Sequence, residues 1–124
     1  MSKIIIYQLL PRLFGNDTEN CIPAGDITSN GCGKFNKITT KALGEIKKLG
    51  VTHVWYTGII EHATCTDYSA YGITPDHPAV VKGKAGSPYA IKDYYDADPD
   101  LAENIPARRE EFRALVNRTH DAGM

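Results

Sequence analysis

The pattern of apolar and polar positions predicts two strands and two helices. The first strand runs from Ile4 to Leu10, a nearly continuous apolar and β-branched segment that Pro11 ends. A second strand is predicted from Val51 to Thr57, directly after Gly50. Continuously apolar strands are typical of parallel sheets, whose two faces are both covered. The two segments are therefore expected to lie in one parallel sheet.

Helical periodicity predicts one helix from about Thr39 to Leu49 and another from about Pro106 or Ala107 to Ala122. Thr39 or Thr40 can cap the first helix, and Pro106 suits the first position of the second. A glycine follows each predicted helix, as is common where helices stop. Each predicted helix has one apolar face. In the first helix this face contains Ile38, Ala42, Leu43, Ile46 and Leu49, and in the second it contains Phe112, Leu115, Val116 and Thr119.

The lengths of the connections suggest which end of the sheet is functional. The helix-to-strand connection is a tight turn at Gly50, whereas the strand-to-helix connections take roughly 24 and nearly 50 residues, far beyond an ordinary loop. Both long loops follow the carboxyl ends of predicted parallel strands, where ligands bind in α/β proteins. Two strands and two helices leave sheet edges unpaired. Residues 1–124 are therefore expected to be a fragment of a larger domain, or to oligomerise; a complete small α/β domain is the alternative.

Composition narrows the classes of partner. Apolar residues make up 42% and charged residues 23% of the chain, as in ordinary globular proteins. The net charge of −1 disfavours nucleic acid and membrane surfaces as electrostatic partners. The apolar run from Ile4 to Leu10 is too short to span a bilayer, and the first residues lack the features of a signal peptide. A cytoplasmic protein is expected.

The three cysteines predict free thiols. Their odd number argues against a disulfide framework, although Cys21 and Cys32 could pair across a loop. No Cys or His spacing is typical of a structural zinc site.

Four segments match one known pattern in chain order: Ile6–Phe14 (IYQLLPRLF), Gly33–Phe35 with Leu43–Trp55, Pro88–Tyr95 (PYAIKDYY) with Asp98-Pro99, and Glu111–Met124 (EFRALVNRTHDAGM). Together they resemble the beginning of the catalytic domain of glycoside hydrolase family 13, the α-amylase family. The segment Tyr56–Gly58 resembles a bacterial subgroup. Pro88 departs from the family's usual glycine, and Arg12 directly follows Pro11 where many members insert an acidic residue.

The resemblance implies a fold and an activity. The fold would be part of a TIM (β/α)8 barrel, a strand–helix–strand–helix segment with two long loops after the strands. The activity would be cleavage of α-glucosidic bonds in starch or maltooligosaccharides with retained configuration, by two carboxyl groups about 5–5.5 Å apart. The family carries those carboxyl groups on later strands. The chain is therefore expected to hold no catalytic residue, to be inactive alone and to need no cofactor.

The resemblance also assigns two substrate-binding residues. Tyr89 corresponds to a tyrosine that stacks on the sugar beside the scissile bond, and an aromatic face suits the apolar face of a pyranose. Asp93 corresponds to the aspartate of the family's DYY block, where bracing of the loop backbone and contact with the sugar remain alternatives. Tyr94 and Tyr95 are expected to be packing residues.

Other polar residues carry weaker signals. Glu61 and His62 follow the second strand, where acid–base residues could lie, but the family places its carboxylates elsewhere. His120 is expected to be structural. The oxygen-rich loop Gly15–Asn20 could bind calcium, although such loops are more often simple turns. The alternative functions are a non-catalytic module that binds carbohydrate or protein, and another barrel enzyme with different chemistry.

Overall fold

The computed structural model describes residues 3–124 as two separate two-stranded sheets and three helices. Strand β1 (Ile6–Leu9) pairs in parallel with β2 (His53–Tyr56), with Ile6 opposite His53. Strand β3 (Ile60–His62) pairs in antiparallel orientation with β4 (Ile91–Ala97). The helices are listed in chain order: α1 (Ile27–Asn30), α2 (Thr40–Lys48) and α3 (Arg108–Asp121).

The prediction of a partial TIM (β/α)8 barrel is wrong. The sheet of β1 and β2 has two strands within residues 3–124, and β3 and β4 form another sheet instead of extending it. Gly58 has a φ of +81°, which turns the chain away from the direction of β2. The segment predicted as the second long loop then pairs with itself, with register shifts on both sides of Glu61. The described residues are thus a mixed α/β arrangement without a barrel.

The predicted helices are confirmed with small changes at their ends. Thr39 caps α2 by accepting a hydrogen bond from the backbone N of Ala42 at 3.2 Å, and Gly50 follows the helix with a φ of +83°. Helix α3 begins at Arg108, later than predicted, because Ile105–Ala107 forms a 3₁₀ turn around the proline.

One apolar core joins the parallel sheet to α2 and α3. Leu9, Leu43 and Leu115 are at most 2% exposed, and the rings of Phe35 and Phe112 lie 5.6 Å apart. Helix α3 is also tied to earlier residues by polar contacts. Arg118 donates hydrogen bonds to the carbonyl oxygens of Phe35 and Ile38 at 2.7 and 3.2 Å. These contacts fix α3 behind the sheet.

The opposite face of the parallel sheet carries apolar residues that the described residues leave uncovered. Ile6 is 59% and Trp55 is 53% exposed. The expectation of oligomerisation through open strand edges stays a prediction. Within residues 3–124, no helix combines the length and the apolar character needed to cross a membrane.

Candidate functional site

Tyr89 is a highly exposed aromatic side chain on a firmly held backbone. The residue is 74% exposed. The backbone N of Tyr89 donates to Oγ of Ser87 at 3.3 Å, and the N of Ala90 donates to the carbonyl of Ser87 at 3.0 Å. Ala63 then donates its backbone N to the carbonyl of Ala90 at 3.1 Å, which joins this turn to β3. The ring is thus presented to solvent from a backbone that is ordered on both sides.

Two glycines allow the turn before Tyr89 to pack closely. Gly86 has a φ of +83°, and a Cβ at this position would overlap the carbonyl oxygen of Ala63. Gly58, just beyond β2, has a φ of +81°, and a Cβ there would lie 2.9 Å from Cβ of Pro88. Pro88, which departs from the family's glycine, therefore fits against Gly58. The sequence places Tyr89 beyond the carboxyl end of β2 by these contacts.

Asp93, the other predicted substrate-binding residue, lies on β4 and is exposed. Its Oδ1 accepts a hydrogen bond from the backbone N of Tyr95 at 2.8 Å. This is the backbone-bracing geometry that sequence reasoning held as one alternative. Because the residue is exposed, its other oxygen is accessible, and contact with a sugar stays a prediction.

Asp93 belongs to a compensated acidic group. Ligand atoms of Glu61, Asp93 and Asp96 lie within 4.8 Å of one another, the only such group of metal-binding size that residues 3–124 contain. Two cations lie against it: Lys92 Nζ lies 3.9 Å from Glu61 Oε1, and Arg108 donates to both oxygens of Asp96 at 2.9 and 2.5 Å. Burial raises the pKa of Glu61. We assign no metal to this group, because two of its three carboxylates are already paired with cations of this chain.

A buried polar network lies behind the turn and was missed by the sequence reasoning. Asp98 and Asp100 are both 0% exposed. Arg12 lies 2.5 Å from Oδ2 of Asp100 and 3.6 Å from Oδ2 of Asp98, and Tyr68 donates its hydroxyl to Oδ1 of Asp100 at 2.5 Å. Burial raises the pKa of the Tyr68 phenol, and the adjacent carboxylate adds to the effect. One arginine thus holds two buried carboxylates.

His62 completes this network. Its Nε2 lies 3.0 Å from Oδ2 of Asp98, yet that oxygen has no well-aligned hydrogen bond. We therefore treat the contact as an ion pair, which depends on distance more than on angle. Burial by itself lowers the pKa of His62, but the contact with Asp98 and the carbonyl of Ala63 raise it, and the net direction is upward. Sequence reasoning weighed His62 only as an acid–base candidate.

A cavity of about 660 Å³ lies between the first loop and the segment around Cys65, and Tyr89 is not among its lining residues. Arg12 and Asp100 reach it from the buried network, and Cys21 and Cys65 line it. All three cysteines are free, so the prediction of free thiols is confirmed. The exposed surface of the cavity is mainly apolar. It does not coincide with the predicted sugar-binding residues.

Side chains of the oxygen-rich loop Gly15–Asn20 are bonded to other residues of the chain. Asp17 forms an ion pair with Lys37 at 3.2 Å, and the hydrogen bond from Lys37 lowers the pKa of Asp17. Asn16 donates its amide to the carbonyl of Asn30 at 3.0 Å and accepts from the N of Thr18 at 3.3 Å. These are the contacts of a structured turn. Calcium binding there is not needed to explain the geometry.

Exposure tests the expectation that Tyr94 and Tyr95 are packing residues. Tyr94 and Tyr95 are 75% and 89% exposed, so the expectation that they are packing residues is wrong. His120 is exposed on the last turn of α3.

Comparison of the chain with protein-family models and with curated proteins gives no match.

Proposed function

We propose that this chain contributes the sugar-binding surface around Tyr89 to a glycoside hydrolase of the α-amylase kind, which acts on α-linked glucans. The observation that carries the proposal is the combination at Tyr89 of high exposure and a fixed backbone. An exposed aromatic ring that is already ordered binds without a large loss of conformational entropy. The resemblance in four segments supplies the class of ligand.

The chemistry of the surroundings suits a neutral carbohydrate. The tyrosine ring offers an apolar face for the C–H face of a pyranose, and its hydroxyl can exchange hydrogen bonds with sugar hydroxyls. Asp93 lies exposed on the strand that the turn enters, and it can accept hydrogen bonds from those hydroxyls. Cations pair with two of the three carboxylates in the acidic group that contains Asp93, which lowers the negative charge of this surface.

Binding, and not bond cleavage, is the activity proposed for these residues. Retaining hydrolysis needs a nucleophilic carboxylate and a protonated acid about 5–5.5 Å apart. The resemblance places that pair outside the matched segments, and it implies no cofactor. The cytoplasm is the proposed compartment.

The test is a titration of the 15N-labelled chain with maltoheptaose, followed by NMR chemical shifts. We expect saturable shifts at the amides of residues 87–91. Tyr89→Ala should raise the dissociation constant by up to about tenfold, since an aromatic contact contributes about 0.5–1.5 kcal/mol. Tyr89→Phe keeps the ring and should retain most of the affinity. Tyr71→Ala is the matched control, because Tyr71 is another exposed tyrosine, at 51%. Equal affinity of the Tyr89→Ala variant and the wild type would refute the assigned role.

A non-catalytic module is the second candidate, favoured by the additional exposed tyrosines on β4. Both candidates predict that the chain binds sugar and that it does not hydrolyse glucan on its own. A hydrolysis assay therefore tests whether the chain is inactive, as expected. Release of reducing ends from starch by the purified chain, with the same activity in independent preparations, would show catalytic residues among residues 1–124. Binding without hydrolysis agrees with both candidates, and only the parent enzyme's activity then distinguishes them.

A further inference from the structure

A shallow groove separates β4 from α3, away from the surface around Tyr89. Its volume is about 340 Å³, at the lower end of the range for ligand sites. Phe112 and Val116 of α3 form part of its lining, together with Ile59, and its exposed surface is mainly apolar. The groove therefore offers a place where apolar side chains of a partner are removed from water.

Two adjacent tyrosines of β4 also line the groove. Tyr94 is 75% and Tyr95 is 89% exposed, so neither ring is packed within the described residues. Single exposed aromatic residues are common, but neighbouring ones beside an apolar groove are typical of interaction surfaces. The strand that carries them is paired with β3, and Asp93 accepts a hydrogen bond from the N of Tyr95. The two rings are thus presented from an ordered backbone.

Two arginines at the groove have no counter-ion among residues 3–124. Arg109 and Arg113 are exposed, line the groove and lie one helical turn apart on α3. The carboxylate in the lining, that of Asp96, is already paired, because Arg108 donates to both of its oxygens at 2.9 and 2.5 Å. The groove therefore presents two unpaired positive charges beside an apolar surface.

This combination of charge and apolar surface selects an acidic protein segment. Carboxylates of a partner complement the two guanidinium groups, which bind them in bidentate geometry, and apolar side chains of the same partner fill the groove. Tyrosine and arginine are also the residues that most often carry the binding energy of protein interfaces. A small inorganic anion leaves the apolar surface exposed to water. A nucleic acid strand needs a line of cations along its phosphates, and the lining supplies two in a chain of net charge −1.

We propose that the groove between β4 and α3 is a docking site for an acidic segment of another protein. Carboxylates of that segment pair with Arg109 and Arg113, and its apolar side chains pack between Tyr94, Tyr95 and Phe112. The proposal is independent of the sugar-binding role of Tyr89.

The experiment titrates the 15N-labelled full chain with the synthetic peptide EDFEELFE, to about 2 mM, and follows amide chemical shifts. We expect saturable shifts at residues 94–97 and 109–116 and none at residues 87–91. Two matched peptides separate the two parts of the proposal. QNFQQLFQ keeps the apolar side chains without the charges, and EDSEESSE keeps the charges without the apolar side chains. Each should bind at least about fivefold more weakly, and added salt should weaken EDFEELFE but not QNFQQLFQ.

Variants of the chain test the assigned residues. The double variant Arg109→Gln/Arg113→Gln should bind EDFEELFE about fivefold more weakly, since exposed ion pairs contribute little individually. Lys41→Gln/Lys82→Gln removes the same charge from two exposed lysines outside the lining, and it should bind like the wild type. Tyr95→Ala should weaken binding by about fivefold, whereas Tyr71→Ala, at another exposed tyrosine, should not. All four positions in the groove and control variants are exposed, so the spectrum away from the groove should stay that of the folded chain.

Several outcomes would overturn the docking site. Absence of saturable shifts at residues 109–116 would do so, and so would equal weakening by the two double variants, which would mean that net charge alone attracts the peptide. Equal binding of QNFQQLFQ would leave the arginines without a role. Displacement of the peptide by inorganic phosphate or by an oligothymidylate at a lower concentration than the peptide's own would assign the groove to a small anion or to single-stranded nucleic acid instead. Shifts at residues 87–91 alone would refute this proposal without bearing on the sugar-binding role of Tyr89.

Discussion

Replacement of Arg12 by methionine tests the buried network directly. The substitution keeps an unbranched, apolar stem and removes the guanidinium that lies 2.5 Å from Asp100 and 3.6 Å from Asp98. Both carboxylate side chains are 1% exposed, so in the native structure they depend on protein partners more than on water. Tyr68 and His62 remain as side-chain neighbours of the two carboxylates, and of these two only His62, when it is protonated, carries a positive charge.

The expected cost is large for a small protein. Removing one partner of a buried ion pair costs about 3–5 kcal/mol, because the remaining charge stays buried and uncompensated. Small domains have a total stability of about 5–15 kcal/mol, so the variant is expected to lie near the limit of folding. Urea unfolding followed by circular dichroism measures the change. With a slope of about 2 kcal/mol per M, the midpoint should fall by about 1.5–2.5 M.

Two further variants keep this prediction falsifiable. Arg12→Lys retains the charge and loses the planar fork, so it should fold and show an intermediate loss of stability. Lys37→Met removes an ion pair whose side chains are 48% and 76% exposed, and it should change stability by less than about 1 kcal/mol. The reasoning is refuted if Arg12→Met costs no more than Lys37→Met. A deficit that does not shrink in acid, where carboxylates become protonated, would also contradict it.

Three other predictions concern single positions. Because Asp98 raises the pKa of His62, the stability from their ion pair is present below the ordinary value of about 6.5 and is lost as the pH rises through the raised value. Melting temperatures of the wild type should therefore fall more steeply than those of His62→Gln above neutral pH. Gly86→Ala should cost about 1–3 kcal/mol because of its positive φ and the close carbonyl, whereas Gly44→Ala, in open space on α2, should stabilise by about 0.5–1 kcal/mol; urea midpoints check both. Burial raises the pKa of Cys32 to about 11, so an aromatic disulfide reagent should modify the other two cysteines rapidly and Cys32 only after unfolding.

Local signals explain why the helices could be predicted from the sequence. The start of α2 depends on Thr39, which accepts a hydrogen bond from a residue three positions away, and its end depends on Gly50. Strands β1 and β2 were found for a similar reason, since a continuous apolar run is visible without knowledge of the fold. Their parallel pairing followed from the helix between them.

The antiparallel sheet could not be predicted because its pairing is not local. Glu61 lies opposite Asp93, so their positions in the sequence give no hairpin signal. Strand β3 contains only Ile60–His62, which is too short for a pattern of alternation to be visible. Without this pairing, the whole segment was interpreted as a loop, and the partial barrel followed from that interpretation.

The candidate site was predicted in part. Tyr89 and Asp93 came from the resemblance, and the structure gives them exposed positions, while their role with sugar stays a prediction. The buried network was missed, since Arg12 and Asp100 are 88 positions apart. One signal was present: Asp98 and Asp100 are charged residues within the otherwise apolar segment 97–102. Charges in such a segment predict a distant partner, because buried charges are almost always paired.

The buried network and the turn before Tyr89 are connected through Thr64, which gives a last prediction. Its buried hydroxyl lies 3.3 Å from both the carbonyl of Lys84, in the segment leading to Tyr89, and Oδ2 of Asp100. Thr64→Val keeps the shape and removes a hydrogen bond, which contributes about 0.5–1.5 kcal/mol. If that loss loosens the turn, fewer molecules hold Tyr89 in place, and the affinity for maltoheptaose should fall by at most about fivefold without any change at the ring itself. Thr28→Val, which removes an exposed hydroxyl on α1, should leave the affinity unchanged. Equal affinities of the two variants would mean that the network supports the fold alone and does not position the turn.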